Sequence, residues 1–146
     1  MKYKLCIFIV FINSMCRSNE CNIEKLNGCW WAIDNDTYIE ICFDNQYCDL
    51  FMEDVYLVSK ITYSLDVNHC YLNIYRGDEV FAKYEVAEFS KKVIHLLNSQ
   101  DEKIEMNKIE GLNYNTEQIS GDPKYYDKFS LEFHNRLMAN KYSAKY

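Results

Sequence analysis

Proline and glycine are scarce in this chain, with one Pro and four Gly among 146 residues. That scarcity excludes collagen-like chains and disordered chains rich in these two residues. The sequence also lacks a Gly-rich phosphate loop, a Gly-x-Ser-x-Gly sequence and a His-Glu-x-x-His sequence. Its three histidines, His69, His95 and His134, stand far apart with no ligand spacing. We therefore expect neither an enzyme nor a bound metal or cofactor.

The composition instead suits one globular domain. Apolar residues make up 49% of the chain, and the aromatic share is 16%, with thirteen Tyr, eight Phe and two Trp. These side chains are sufficient for a substantial core, and the length leaves no room for two large domains.

The first eighteen residues have the pattern of a secretory signal peptide. Lys2 and Lys4 precede the apolar run Leu5 to Ile12, and small residues follow as far as Ser18. The run is too short for a membrane-spanning helix, so no transmembrane span is expected. We predict a signal peptide over residues 1–18 and a mature exported domain, periplasmic or secreted, over 19–146. The alternatives are a buried first strand and, less favoured, a lipid anchor at Cys16.

Basic residues are absent between Leu26 and Ser59, where acidic residues accumulate. Removal of residues 1–18 would also take the net charge from −6 to −9, which argues against nucleic acid as a partner. Several of these acids fall at predicted strand ends and are candidates for one acidic rim that binds a basic protein: Asp34, Asp36, Asp44, Asp49, Glu53 and Asp54. The alternatives are solvated turns and a calcium site at residues 34–36.

The mature region keeps five cysteines, all in its first half, and in an exported protein they indicate disulfides with one thiol left over. A three-residue turn after Phe43 would place Cys42 opposite Cys48, which makes them a candidate bridge. A two-residue turn would instead place Cys42 opposite Asp49. Pairing of either cysteine with Cys29 or Cys70 is the competing arrangement.

Short runs rich in Tyr, Ile, Val and Phe alternate with breaks that contain Asn, Asp or Gly. This pattern predicts eight antiparallel strands joined by short turns, near residues 28–33, 37–43, 46–53, 56–65, 69–75, 79–89, 92–98 and 103–109. Residues 111–121 resemble a loop. Asp122 and Pro123 then form a helix start, and apolar residues at helical spacing predict a helix over 122–140 that packs outside the sheet.

The segment Leu26-Asn27-Gly28-Cys29-Trp30-Trp31 carries a Gly-x-Trp pattern at the start of the first strand. With the eight-strand meander and the C-terminal helix, it resembles the lipocalin superfamily, and most of all small bacterial secreted lipocalin-like domains. The resemblance implies a closed barrel with Gly28 and Trp30 as the barrel-closing motif. It also implies an Arg near the last strand that stacks on the Trp. No Arg occurs in residues 92–110, where Lys103 and Lys108 are the available substitutes.

These features predict an exported, non-enzymatic binding protein whose lipocalin-like barrel holds a small apolar ligand. The alternative is a periplasmic or secreted inhibitor or immunity-type protein, which would bind a basic partner through the acidic rim and need no cavity. An interior cavity of ligand size is the feature that distinguishes the two.

Overall fold

The computed structural model describes residues 21–53, 57–112 and 114–142. Eight antiparallel strands follow one another in chain order, and the last pairs with the first to close a barrel. The predicted fold class, a mainly β meander closed into a barrel and followed by a C-terminal helix, is confirmed. The predicted signal segment 1–18, including Cys16, lies outside the described residues.

The strands are connected mostly by tight turns, and four helical segments flank them. The strands are β1 (Gly28–Asp34), β2 (Thr37–Phe43), β3 (Tyr47–Met52), β4 (Val58–Asp66), β5 (Tyr71–Arg76), β6 (Glu79–Phe89), β7 (Val93–Leu97) and β8 (Lys103–Ile109). The helices are α1 (Ile23–Leu26), α2 (Thr116–Gly121), α3 (Pro123–Leu137) and a π-helical turn (Met138–Tyr142). None of the helices in the described ranges has the length and apolar character needed to cross a bilayer.

The up-and-down order gives the barrel two different ends. The closed end carries α1, the β2–β3 and β4–β5 turns, and the fully buried side chains of Leu26 and Trp30. The open end carries the β1–β2, β3–β4, β5–β6 and β7–β8 connections.

Alternation along the strands separates the barrel interior from its outer face, as the period of two requires. On β2, Ile41 and Phe43 point into the barrel core, whereas Tyr38 and Glu40 are buried on the outer face. This outer burial occurs because the C-terminal helices cover β2 and β3. There a second apolar cluster forms around Phe51, Ile119 and Phe129.

Helix α3 begins where the sequence predicts, because the Asp122 side chain accepts a hydrogen bond from the Lys124 amide at 2.9 Å and Pro123 occupies the first turn. The preceding stretch differs from the prediction. Part of the expected loop forms α2, whose N-cap Asn115 accepts a hydrogen bond from Gln118 at 3.0 Å. Burial of Ile119 against the barrel stabilises this short helix, and burial of that kind leaves little trace in local sequence.

The cysteine pairing corrects the predicted Cys42–Cys48 bridge. The β2–β3 turn leaves only Asn45 and Gln46 between the backbone-bonded residues Asp44 and Tyr47, so Cys42 lies opposite Asp49 and Phe43 opposite Cys48. Cys42 therefore faces outward and Cys48 inward, and no bridge between them is possible.

Cys42 instead pairs with Cys29, which lies directly opposite it on β1. A second bridge joins Cys21, before α1, to Cys70 in the β4–β5 turn. Cys48 remains a free thiol in the core, and burial raises its pKa to about 12. A buried thiol with so high a pKa is unreactive at neutral pH.

Candidate functional site

A cavity of about 440 Å³ occupies the half of the barrel nearest the open end. Its wall is largely aliphatic and includes Ile39 and Ile41 of β2, Leu72 and Ile74 of β5, and Ile104 of β8. Residues of the open end, among them Asp34, Arg76, Gly77 and Phe81, line its mouth. The cavity is therefore a pocket between the strands with its opening at the open end.

Large side chains fill the opposite half of the barrel and form the floor of the cavity. Phe43 reaches the floor and packs edge-on against Tyr63, with ring centroids 5.0 Å apart. The Tyr63 hydroxyl donates a hydrogen bond to the backbone carbonyl of Asp44, which lies in the β2–β3 turn. Burial of the phenol raises the pKa of Tyr63 to about 12, so this donor keeps its proton at neutral pH.

Trp30 lies fully buried at the closed end, beyond that floor. Its indole Nε1 donates a hydrogen bond to the Leu26 carbonyl at 2.7 Å, which ties the first strand to α1. Lys108 of β8 lies over the indole, with its Nζ 4.3 Å from the ring centroid, and also donates to the Asn27 carbonyl. Of the two lysines considered as substitutes for the expected Arg, Lys108 therefore takes that position.

Gly28 provides the space that this lysine needs. A Cβ on Gly28 would lie 2.6 Å from Lys108 Nζ, and the backbone there has φ +105°, which side-chain-bearing residues rarely adopt. Burial lowers the pKa of Lys108, but its contacts with the ring face and the carbonyl are those of a cation.

The predicted acidic residues do not share one rim. Asp34 and Asp36 lie at the β1–β2 turn, at the open end, and Glu53 follows β3 at the same end. Asp44 lies at the closed end, where its carboxylate accepts hydrogen bonds from the Gln46 and Tyr47 amides, both at 2.7 Å. Asp54 lies outside the described residues.

Two of these acids have structural partners on the outer surface. The Asp49 carboxylate accepts a hydrogen bond from the Lys60 amide at 2.8 Å, and burial raises its pKa. Glu53 accepts a hydrogen bond from Lys141 of the π-helical turn at 2.6 Å, and this bond holds the pKa of Glu53 below its usual value. Glu53 is therefore neutralised by a lysine of its own chain.

A buried polar cluster on the outer face is absent from the sequence predictions. The Glu40 carboxylate is completely buried and receives two hydrogen bonds from Arg136 of α3, at 2.8 and 3.1 Å. The hydroxyls of Tyr38 and Tyr114 donate to the same carboxylate. Burial raises the pKa of both tyrosines, so they remain donors. In the sequence, the one sign of this cluster is Glu40 itself, a charged residue on a strand whose outer face a helix covers.

Two of the described histidines, His69 and His95, form ion pairs near the surface, and His69 Nδ1 lies 2.8 Å from the Asp66 carboxylate. The His95 ring lies between Glu88, 2.7 Å from Nδ1, and Glu105, 3.1 Å from Nε2. Because the two ring nitrogens point in different directions, these carboxylates do not converge on one point. Throughout the ranges that the structure describes, no group of three His, Cys, Asp or Glu side chains is arranged to hold a metal ion.

Comparisons with known proteins give no relative: no family model matches the chain, and neither a curated protein nor a solved structure matches it. The eight-strand antiparallel barrel is compatible with a lipocalin-like fold.

Proposed function

We propose that this protein binds one small, largely apolar molecule inside its barrel and performs no catalysis. The observation that carries the proposal is the cavity of about 440 Å³, with an aliphatic wall and a mouth at the open end. Ligand pockets in proteins typically measure about 300–1,000 Å³ and bury most of the ligand against apolar side chains. The resemblance to lipocalin-like domains supports the same function, because such barrels enclose a single small ligand.

The location of the aromatic side chains favours a barrel with an internal cavity rather than one that side chains fill completely. Many of the large rings lie elsewhere: Phe51, Tyr114 and Phe129 pack together on the outer face, under the C-terminal helices. Inside, a small residue, Ala82, forms part of the cavity wall. Part of the aromatic content of the chain therefore stabilises the helix–barrel contact, while Phe43, Tyr75, Phe81 and Tyr84 line a cavity that remains open.

Binding of a basic protein through an acidic rim has less support. That function requires the acids on one surface, yet Asp44 lies at the closed end and Glu53 is paired with Lys141. We therefore favour the cavity as the binding site.

We also propose that the protein works after export. Two disulfides between cysteines of the described chain fit an oxidising compartment. The N-terminal signal pattern fits the same compartment.

A neutral apolar fluorescent probe, N-phenyl-1-naphthylamine, tests the cavity directly. We expect its fluorescence to rise on addition of the protein, and the change Ala82→Phe to weaken binding about tenfold or more by filling the space. The matched control is Val67→Phe, since Val67 is exposed in the β4–β5 turn and does not line the cavity.

Circular dichroism and the thermal midpoint establish that both variants fold. The proposal is contradicted if the probe does not bind the wild-type protein. It is contradicted equally if folded Ala82→Phe and Val67→Phe bind the probe with the same affinity.

A further inference from the structure

One carboxylate belongs to the inner wall of the cavity rather than to the outer surface. Trp30 and Ala32 point into the barrel, and Asp34 is the next residue of β1 on the same face. Asp34 is half-buried and lines the cavity near its mouth. Its side chain accepts one hydrogen bond, from the neighbouring Asn35 amide group at 3.2 Å. Within residues 21–53, 57–112 and 114–142, no cationic side chain forms an ion pair with it.

The two cationic residues that also line the cavity are held at the exposed rim. Lys60 Nζ lies 3.8 Å from Glu117 of α2, which is on the outer face of the barrel. The Arg76 guanidinium lies 4.6 Å from the ring centroid of Phe81, a residue that is 64% exposed. Because β1 and β5 are separated by three strands in either direction around the barrel, Arg76 stands across the mouth from Asp34.

The electrostatic influence of Asp34 extends into the cavity. Tyr84 of β6 lines the wall, and its pKa is raised first by burial and then by the negative charge of Asp34. Around the mouth, Asp36, Asp78 and Glu79 add further negative charge on the turns of the open end. Of the three charged side chains that line the cavity, Asp34 is half-buried whereas Lys60 and Arg76 are exposed, so the charge on the more buried part of the wall is a carboxylate.

We propose that the cavity selects cationic amphiphiles, molecules with an apolar body and an amine-type head that pairs with Asp34. This inference rests on the proposed function, since it requires a ligand in the barrel. The apolar body lies along the aliphatic wall, and the ammonium group donates hydrogen bonds to the Asp34 carboxylate. A half-buried carboxylate without a cation gains more from such a partner than one in bulk water does.

Three ligands with one apolar chain and different heads test the sign of this selectivity: n-decylamine, n-decanol and n-decanoate. Each is titrated below its aggregation concentration against protein loaded with N-phenyl-1-naphthylamine, and displacement gives its dissociation constant. At neutral pH the amine is an ammonium ion and the acid a carboxylate. We expect decylamine to bind about tenfold more tightly than decanol, the difference typical of a hydrogen bond to a charged group, and decanoate to bind most weakly.

Asp34→Asn keeps the shape of the side chain and removes the charge. We expect it to abolish the preference for decylamine over decanol while decanol and the neutral probe bind as before. Arg76→Gln is the matched variant on the other side of the mouth, and we expect it to retain the preference.

The outcomes separate this inference from the proposed function. If none of the ligands displaces the probe and the probe itself does not bind, the proposed function fails and the inference with it. If decanol binds and decylamine shows no advantage, or if folded Asp34→Asn keeps the advantage, the cavity binds ligands but the charge selectivity is refuted. If decanoate binds most tightly and Arg76→Gln abolishes that preference, the cavity selects anionic amphiphiles and the proposal is overturned.

Discussion

At the scale of single residues, the closed end depends on the fit between Gly28, Trp30 and Lys108. Gly28 has φ +105° and lets the Lys108 ammonium approach its backbone closely. That approach places the cation over the Trp30 ring and against the Asn27 carbonyl. A lysine thus performs the stacking that the lipocalin resemblance assigns to an arginine, with a point charge and a single carbonyl contact in place of a planar guanidinium.

Gly28→Ala is expected to lower the free energy of unfolding by about 2–3 kcal/mol, because alanine is strained at this φ and Lys108 must move away from the ring. The matched control is Gly77→Ala, which also has a positive φ, +62°, but has open space around the added Cβ. We expect the control to cost about 1 kcal/mol. Urea unfolding followed by tryptophan fluorescence measures both. Equal losses would show that the contact with Lys108 contributes nothing.

At the scale of the elements, α3 is held to the barrel by apolar packing and by one buried ion pair. Phe129 packs against Phe51 with ring centroids 4.9 Å apart, and Arg136 binds Glu40 through two hydrogen bonds. Hydrogen bonding to Glu40 raises the pKa of Arg136 against the opposing effect of burial. Because Glu40 is completely buried, these hydrogen bonds take the place of the water that would otherwise solvate its carboxylate.

Arg136→Met is expected to lower the free energy of unfolding by about 3–5 kcal/mol, since it leaves a buried carboxylate without its cation. Lys128→Ala is the control on the same helix. Lys128 Nζ lies 3.9 Å from Glu132 in an exposed pair, so we expect a loss below about 0.5 kcal/mol. Chemical denaturation monitored by far-UV circular dichroism gives both values.

The double variant Glu40→Leu with Arg136→Met shows whether the ion pair itself stabilises the protein or whether the loss in Arg136→Met comes from the unpaired Glu40 carboxylate. Apolar replacement of both members of a buried ion pair is often neutral or stabilising, but Glu40→Leu also removes the acceptor of the Tyr38 and Tyr114 hydroxyls, so we expect the double variant to recover part of the loss. If Arg136→Met alone costs no more than Lys128→Ala, the ion pair does not hold the helix.

At the scale of the whole molecule, both disulfides strengthen the closed end. Cys29–Cys42 joins the start of β1 to the end of β2, and Cys21–Cys70 fastens the segment before α1 to the β4–β5 turn. The open end, with the cavity mouth, contains neither bridge. The ligand site we propose therefore lies at the end of the barrel that is not cross-linked.

Replacement of Cys21 and Cys70 together by Ser is expected to destabilise the protein by about 4 kcal/mol, because the bridge closes a long loop of the unfolded chain. The sequence separation is 49 residues for this bridge and 13 for Cys29–Cys42, so replacement of Cys29 and Cys42 together by Ser is expected to cost less, about 3 kcal/mol. Cys48→Ala is the control, as it removes a buried thiol but no bridge. Thermal unfolding of the three variants measures the order.

Non-reducing peptide mapping checks the pairing itself. We expect one peptide pair that links Cys29 to Cys42 and another that links Cys21 to Cys70, while Cys48 is the cysteine of residues 21–142 that alkylation modifies after unfolding. A peptide that links Cys42 to Cys48 would contradict the strand register.

The sequence determined the local elements of this fold. Alternation of period two marks the strands, Asn, Asp and Gly mark their turns, and Asp122 with Pro123 marks the start of α3. These signals operate between residues a few positions apart, so they can be read along the chain. Short connections between successive strands then require an antiparallel meander.

Only the tertiary structure decided which distant residues meet. A turn one residue shorter than expected put Cys42 and Cys48 on opposite faces and paired Cys42 with Cys29. Helix packing buried Glu40 against Arg136, and barrel closure turned Asp34 into the cavity and away from a common acidic rim. The physical reason is that a shift of one residue in register moves a side chain to the other face of a sheet, and register is fixed only when the whole barrel closes.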